Sequence, residues 1–353
     1  MNSVELSEIS VRDDLFPFTL SRTVLDIRVG ILTLKEKWEK RFQYQVGLDN
    51  PDTRTANLIP ANLIPDDKLI KCIKEGKDWD WIKSHILDIR KIQYPWHIFQ
   101  NNAEEIGNDY RHITLNRVSK PLSKTNRVFG SGDIFLEDGA VVEHAILNAT
   151  AGPIYLGPDT EIMEGSCIRG PFALCQGAKI KMGTMIYGGT TIGPNSVMGG
   201  EIKNAVIFGN SNKAHHGYLG DAVIAEWCNL GAGSSNSNLQ NNAGEVKVWN
   251  EPRKTFLSAG IKCGLFMGDY SKSAINTTFN TGTVTGICCN IFGSGLTPKH
   301  IPSFSWGYGN FPPYAIERAL EDIDNWKQLK NERITDMEVR TLKLIFEQIP
   351  KLP

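Results

Sequence analysis

The stretch 201–238 concentrates side chains able to do chemistry: Lys203, His215, Tyr218, Asn229, the pair Ala232-Gly233, and Asn238. Histidine titrates near neutrality, so His215 suits a general base. Lys203 offers a point charge to a phosphate, and Tyr218 and Asn229 can hydrogen-bond hydroxyls or phosphate. Asn238 can orient an amine or a donor group. Main-chain N–H groups around Ala232-Gly233 have little side chain in their way and can approach a developing oxyanion. A base, an oxyanion donor and an anion anchor are what acyl transfer from a thioester to an amine beside a phosphate requires. Each residue also has an ordinary reading. A loop histidine is usually a surface residue, Tyr218 can be packing, 236–242 can be a solvated turn cluster, and Lys213 reads as a solvated charge.

The element that must position these groups is written in a six-residue period. Leu156, Ile162, Ile168, Leu174, Ile180, Ile186, Ile192 and Met198 are aliphatic at every sixth position. Four residues after most of them stands a small side chain: Thr160, Ser166, Ala178, Thr184, Thr190 and Ser196, with Phe172 the exception. A second phase runs through Met267, Phe279 and Ile291, with Ser271, Thr277, Thr283 and Cys289 at the small positions. Neither the two-residue period of a strand nor the 3.6-residue period of a helix generates this. Each hexapeptide makes a short strand and a corner, three close a triangular coil, and stacked coils bury a column that no single coil could bury. Gly157, Gly193, Gly231 and Gly268, each following an aliphatic position, are expected to relieve strain at the corners. The pattern breaks at 199–219 and 238–263, which predicts loops projecting from one face.

Before residue 130, charged and aromatic residues alternate with short apolar runs such as 24–34, as in an α/β domain. Asn57-Leu58-Ile59-Pro60 recurs as Asn62-Leu63-Ile64-Pro65, and prolines so close exclude a helix there. The end of the chain is helical in pattern. Ile316, Ala319, Leu320 and Ile323 form one stripe with Pro312-Pro313 suited to its start, and Thr335 with Glu338 forms a capping box before a second. These helices are expected to cap the last coil or pack on a neighbour. The organisation is therefore a shortened α/β domain over 1–127, a β-helix over 128–310 and a helical extension over 311–353. A net charge of −1 argues against nucleic acid. Seven scattered cysteines do not form a disulfide framework, and the polar, acidic start is unlike a signal peptide. With no apolar run of membrane-span length, the expected location is the cytoplasm.

The ordered set Lys203, His215, Tyr218, Asn229, Ala232, Asn238 is similar, without a gap, to the acetyltransferase half of the bifunctional N-acetylglucosamine-1-phosphate uridylyltransferases. The wider chain resembles an alternative bacterial form of that family through Leu15-Phe16-Pro17-Phe18-Thr19, Asp26-Ile27-Arg28-Val29-Gly30, Arg169-Gly170-Pro171-Phe172-Ala173-Leu174-Cys175, Asn276-Thr277-Thr278-Phe279-Asn280-Thr281-Gly282 and Pro302-Ser303-Phe304-Ser305-Trp306-Gly307. The resemblance implies a mainly β fold with a left-handed parallel β-helix of hexapeptide repeats. It also implies a homotrimer with acetyl-CoA in a groove between prisms, and glucosamine-1-phosphate as acceptor. Lys203, Tyr218, Asn229 and Asn238 would bind substrate, and Ala232 and Gly233 the donor. One departure stands out. The arginine that the family uses for the sugar phosphate is Cys175 here, which leaves Arg169 and Lys181 as substitutes.

The segment 14–38 resembles the opening of a sugar nucleotidyltransferase domain, which would make Arg22, Arg28 and Lys37 ligands for a nucleoside triphosphate and its Mg2+-bound phosphates. No glycine-rich phosphate loop appears there, and about 125 residues is short for a domain enclosing nucleotide and sugar. The alternatives are a nucleotidyltransferase whose β-helix serves assembly, a zinc enzyme like the β-helical carbonic anhydrases, and a non-catalytic trimeric scaffold. His215-His216 invites the zinc reading, but adjacent residues on an extended chain face opposite ways and no usual ligand spacing supports it.

Overall fold

The computed structural model describes residues 3–43, 45–48, 58–309 and 312–349. Met1 and Asn2 of the polar start, Asn57 of the proline tandem and the junction 310/311 lie outside the described residues.

From Arg127 the chain winds into a left-handed parallel β-helix, and the protein is mainly β. Three faces repeat. The first stacks Cys167–Arg169, Met185–Ile186 and the beginnings of Glu201–Ile207 and Tyr218–Ile224. The second stacks Ile154–Leu156, Phe172–Leu174, Thr190–Ile192 and the ends of those two long strands. The third stacks Glu161–Ile162, Lys179–Ile180, Val197–Met198, Asn212–Lys213 and Asn229–Leu230. In-register pairing puts the same repeat position above itself, so the aliphatic residues from Leu156 to Met198 form buried columns. Each such side chain contributes about 1.5–3 kcal/mol on burial. The small positions have a second use: the hydroxyls of Thr160, Thr184 and Thr190 donate to the carbonyls of Gly157, Lys181 and Tyr187, three residues back.

The corner glycines differ from expectation. Gly157, Gly193, Gly231 and Gly268 do not adopt positive φ. They are glycines because a Cβ would run into backbone of the adjacent coil: Leu174, Phe208, Ala274 and Gly286 respectively. The left-handed conformation falls two residues later, at Asp159, Asn195, Gly233 and Tyr270.

The two breaks also differ from each other. Along the third face Ile162, Ile180 and Met198 are eighteen residues apart, but Lys213 follows Met198 after only fifteen. The stretch 199–219 is thus a shortened coil inside the prism rather than a projecting loop. The stretch 238–263 is a true insertion and carries an antiparallel hairpin, Lys247–Asn250 with Thr255–Ser258.

The N-terminal region holds a parallel sheet of Ser3–Ser7, Gln45–Leu48 and Ile59–Pro60 with helices α1 (Leu34–Phe42), α2 (Asp67–Lys74), α3 (Trp79–His85) and α4 (Trp96–Ile113). Helix α4 lies across the second face, where buried Asn102 accepts from the Gly30 N–H (2.7 Å) and donates to the Gly189 carbonyl (2.8 Å) and Thr191 Oγ1 (3.0 Å). At the far end come α5 (Ile316–Gln328) and α6 (Asp336–Gln348). The Thr335–Glu338 capping box is present, whereas α5 starts three residues beyond Pro313 with Ala315 as its N-cap.

Candidate functional site

The shortened coil brings the chemistry-bearing residues to one corner. After Asn212–Lys213 the chain bends through His215-His216-Gly217 and enters the first face at Tyr218. Both histidines are exposed, on a bend and not on extended chain. His215 lines a cleft of about 530 Å³ together with Asn229 and Ala232, and His216 is not among the lining residues. The His216 carbonyl instead accepts the Gly233 N–H (3.0 Å), which ties the histidine bend to the next corner below. Trp326, Leu329 and Lys330, on α5 and just beyond it, also line the cleft, as does Trp227 at the corner between faces. Lys330 Nζ reaches back to the Asn195 carbonyl, and burial pulls its pKa down to about 8.

Lys203 and Tyr218 sit on the first face, away from the cleft lining. Lys203 is exposed, with its Nζ 5.9 Å from the Tyr187 ring centroid. Register carries Arg169, Tyr187 and Lys203 into one outward row, with Arg169 two coils, or about 10 Å, from Lys203. Lys181 is on the third face instead, with its carbonyl taken by Ser166 and Thr184. Tyr218 is half-buried, and its hydroxyl accepts from Asn238 Nδ2 (3.1 Å). Burial, aided by the negative charges of Asp221 and Glu201, pushes the phenol up to about 12. Asn238 also donates to Asp221 Oδ2 (2.5 Å), and Asn204 donates to Asp221 Oδ1 (2.7 Å). A buried carboxylate therefore holds two amides, one of which holds the tyrosine.

Lys213 is not the solvated charge expected of it. It occupies an aliphatic position of the third-face column, paired with Met198, and is 2% exposed. Its Nζ donates to the carbonyls of His215 (2.7 Å) and Gly199 (3.0 Å). Asn236 likewise fills an interior position of the first face, where its amide satisfies the N–H and carbonyl of Gly220.

Cys175 is fully buried beneath the N-terminal segment, within reach of Arg28 Nη1 (3.8 Å) and the Ile31 carbonyl (3.6 Å). The three cations expected to hold a nucleotide are all engaged within the protein. Arg22 pairs with Asp269 and with Glu226 (3.1 Å) against the β-helix. Arg28 donates to the Ile31 carbonyl and faces Glu36 (3.8 Å). Buried Lys37 lies between Glu105 (2.7 Å) and Asp109 (2.5 Å) of α4.

Comparison with known proteins fits both halves. A family model for "Sugar nucleotidyl transferase" matches residues 5–82. A "Bifunctional sugar-1-phosphate nucleotidylyltransferase/acetyltransferase" of Sulfurisphaera tokodaii is 29% identical over 71% of this chain and 52% of its own length. The chain is similar to bifunctional sugar-1-phosphate nucleotidylyltransferase/acetyltransferases. A "Bifunctional protein GlmU" of Methanocaldococcus jannaschii is 26% identical over 85% of this chain and 69% of its own length. This chain thus spans about half of the first relative. Among solved structures, the polySia-specific acetyltransferase NeuO aligns with a TM-score of 0.28 and 10% identity over 53% of this chain and 80% of that one. No helix among the described residues is long and apolar enough to cross a membrane.

Residue types alone did not reveal Lys213, Asp221 with Asn204, or the α5 wall. For Lys213 the available signal was its place in the column once the coil is counted as three residues short.

Proposed function

We propose that this chain is an acetyl-CoA-dependent N-acetyltransferase acting on an amino-sugar phosphate such as glucosamine-1-phosphate, within sugar-nucleotide biosynthesis. The observation that carries the reading is that His215, Asn229 and Ala232 line one cleft. The cleft is of ligand size and its polar groups suit a thioester: an imidazole, a carboxamide, and main chain at Ala232. His215 takes the proton from the acceptor amine as it attacks the acetyl carbonyl, and the C–S bond then breaks so that the coenzyme A thiolate leaves and takes up that proton as free thiol. Lys203, with Arg169 two coils along the same row, attracts the acceptor's phosphate, and Tyr218 with Asn238 orients its hydroxyls. A first face bearing exposed Ile146, Met185 and Tyr187 supports a homotrimer, whose neighbouring prism would complete the groove. The nucleotidyltransferase reading, with its Mg2+, would need Arg22, Arg28 and Lys37 to leave their internal partners, so acyl transfer is preferred. The test is release of free thiol from acetyl-CoA against a panel of amino-sugar phosphates. Turnover confined to one of them supports the reading, and its absence across the panel refutes it.

A further inference from the structure

We infer that Lys213 is a positioning residue, which fixes the His215 corner by fastening it from inside the prism to the corner of the preceding coil. The inference rests on the acyl-transfer reading of His215 for its functional meaning and on geometry for the rest.

Three observations converge on it. First, the coil between Met198 and Lys213 is fifteen residues instead of eighteen, so the Gly199-Gly200 and His215-His216-Gly217 corners must stack without the usual hexapeptide spacing. Second, one ammonium bridges the two corners through the Gly199 and His215 carbonyls. A Cβ on Gly200 would meet Lys213 Nζ, so the approach is close on that side as well. Third, among the described residues no carboxylate pairs with this cation, and its column neighbours are Met198 and Leu230. Burial accordingly pulls its pKa down to about 8. A methionine would fill that place at less desolvation cost, so the ammonium there is a burden on stability that a purely structural residue would not impose. What it contributes is two charge-assisted hydrogen bonds at the corner that carries the candidate base. A corner loosened by even an ångström moves His215 relative to Asn229 and Ala232 across the cleft.

The experiment compares the wild-type chain with Lys213→Met, and with Lys213→Gln, which keeps a neutral donor one bond shorter. Acetyl-CoA and glucosamine-1-phosphate are the probes, and hydrogen exchange is followed at 214–217 and at 231–234. In Lys213→Met, kcat is expected to fall about 10- to 100-fold, the scale of a misplaced catalytic group. KM for acetyl-CoA should stay within about twofold, because the rest of the lining, Asn229, Ala232, Trp326 and Lys330, is untouched. Exchange should rise at 214–217 and not at 231–234, and the melting temperature at pH 7 should be unchanged or higher. Lys213→Gln should keep more kcat than Lys213→Met, and it supplies the same readouts where the methionine variant does not fold. Unchanged exchange at 214–217, an unchanged kcat, or a loss confined to KM would overturn the inference. A wild type that releases no thiol defeats the acyl-transfer reading, while the exchange data still decide whether Lys213 holds the corner.

Discussion

The two irregular stretches of the β-helix interrupt the same repeat in opposite ways. At 199–219 residues are missing, and the chain stays inside the prism with a lysine in the column and a histidine bend at the surface. At 238–263 residues are added, and the extra chain leaves the prism as a hairpin. The hairpin is spent on docking: Asn250 donates to Asp14 Oδ1 (3.1 Å), Arg253 pairs with Asp14 and reaches Tyr94, and Gln100 of α4 donates to the Ala259 carbonyl. Shortening a coil draws corners together and concentrates polar groups, whereas lengthening one provides reach. Chemistry is expected from the first break and assembly of the two regions from the second.

The largest effect that could break this division is at His215. Replacing it with alanine should cost about 10²–10⁴-fold in thiol release, while His216→Ala should change the rate little, since its contact with Gly233 is through the main chain. Equal, large losses from both would point to a shared structural role and dissolve the contrast. Next is Asp221, at the junction of the two breaks, because it joins Asn204 on one side to Asn238 on the other. Asp221→Ala leaves the half-buried amides of Asn204 and Asn238 without their carboxylate and should lower stability by about 1 kcal/mol, read by urea denaturation, and should reduce turnover by freeing Tyr218. A variant as stable as wild type would show the network to be idle.

The third effect is a pH dependence. Lys213 carries a folded-state pKa of about 8 against an ordinary 10.5. Between these values the unfolded chain binds the extra proton, so stability should rise with pH across that window, and it is lost again as pH falls through 8. Lys213→Met should flatten that rise, as followed by denaturation from pH 7 to 10.5. The smallest effect belongs to the docking hairpin. Arg253→Ala removes an exposed ion pair and should cost no more than about 1 kcal/mol, with thiol release unchanged. A large loss of activity there would mean that the insertion takes part in the chemistry after all.

How much of this was legible in the sequence depends on distance along the chain. The aliphatic column from Leu156 to Met198 and the Thr335–Glu338 cap are local patterns, and they appear as expected. Lys213 was illegible for a specific reason: with three residues missing, the six-residue count no longer marks its position as interior. Arg22, Arg28 and Lys37 suited phosphates by type, but nothing local reveals that Asp269 stands beside Arg22, or that Glu105 and Asp109 stand beside Lys37. The wall formed by Trp326 and Lys330 was hidden in the same way, since the 316–323 stripe shows which side of α5 is apolar but not what it covers.

The turns between the second and third faces form a ladder. The N–H groups of Asn195, Asn210, Trp227, Tyr270, Cys288 and Phe304 each donate to a carbonyl of an adjoining coil. All six adopt positive φ. For the two asparagines this is ordinary, but Trp227, Tyr270, Cys288 and Phe304 are poorly suited to it, at a cost of order 1–3 kcal/mol each. Those same four side chains are buried with Ile316, Ala319, Ile323 and Leu342 of the terminal helices. An ordinary solenoid frays coil by coil from its open end. Here the last coils hold their turns only while the helices cover them, so the coils from Trp227 onward and the helical end should unfold in a single step. Because Trp227 also lines the cleft, together with Trp326, Leu329 and Lys330 of the helical end, that step would carry the cleft away with it, which makes the integrity of the terminal helices a condition for having the candidate site at all.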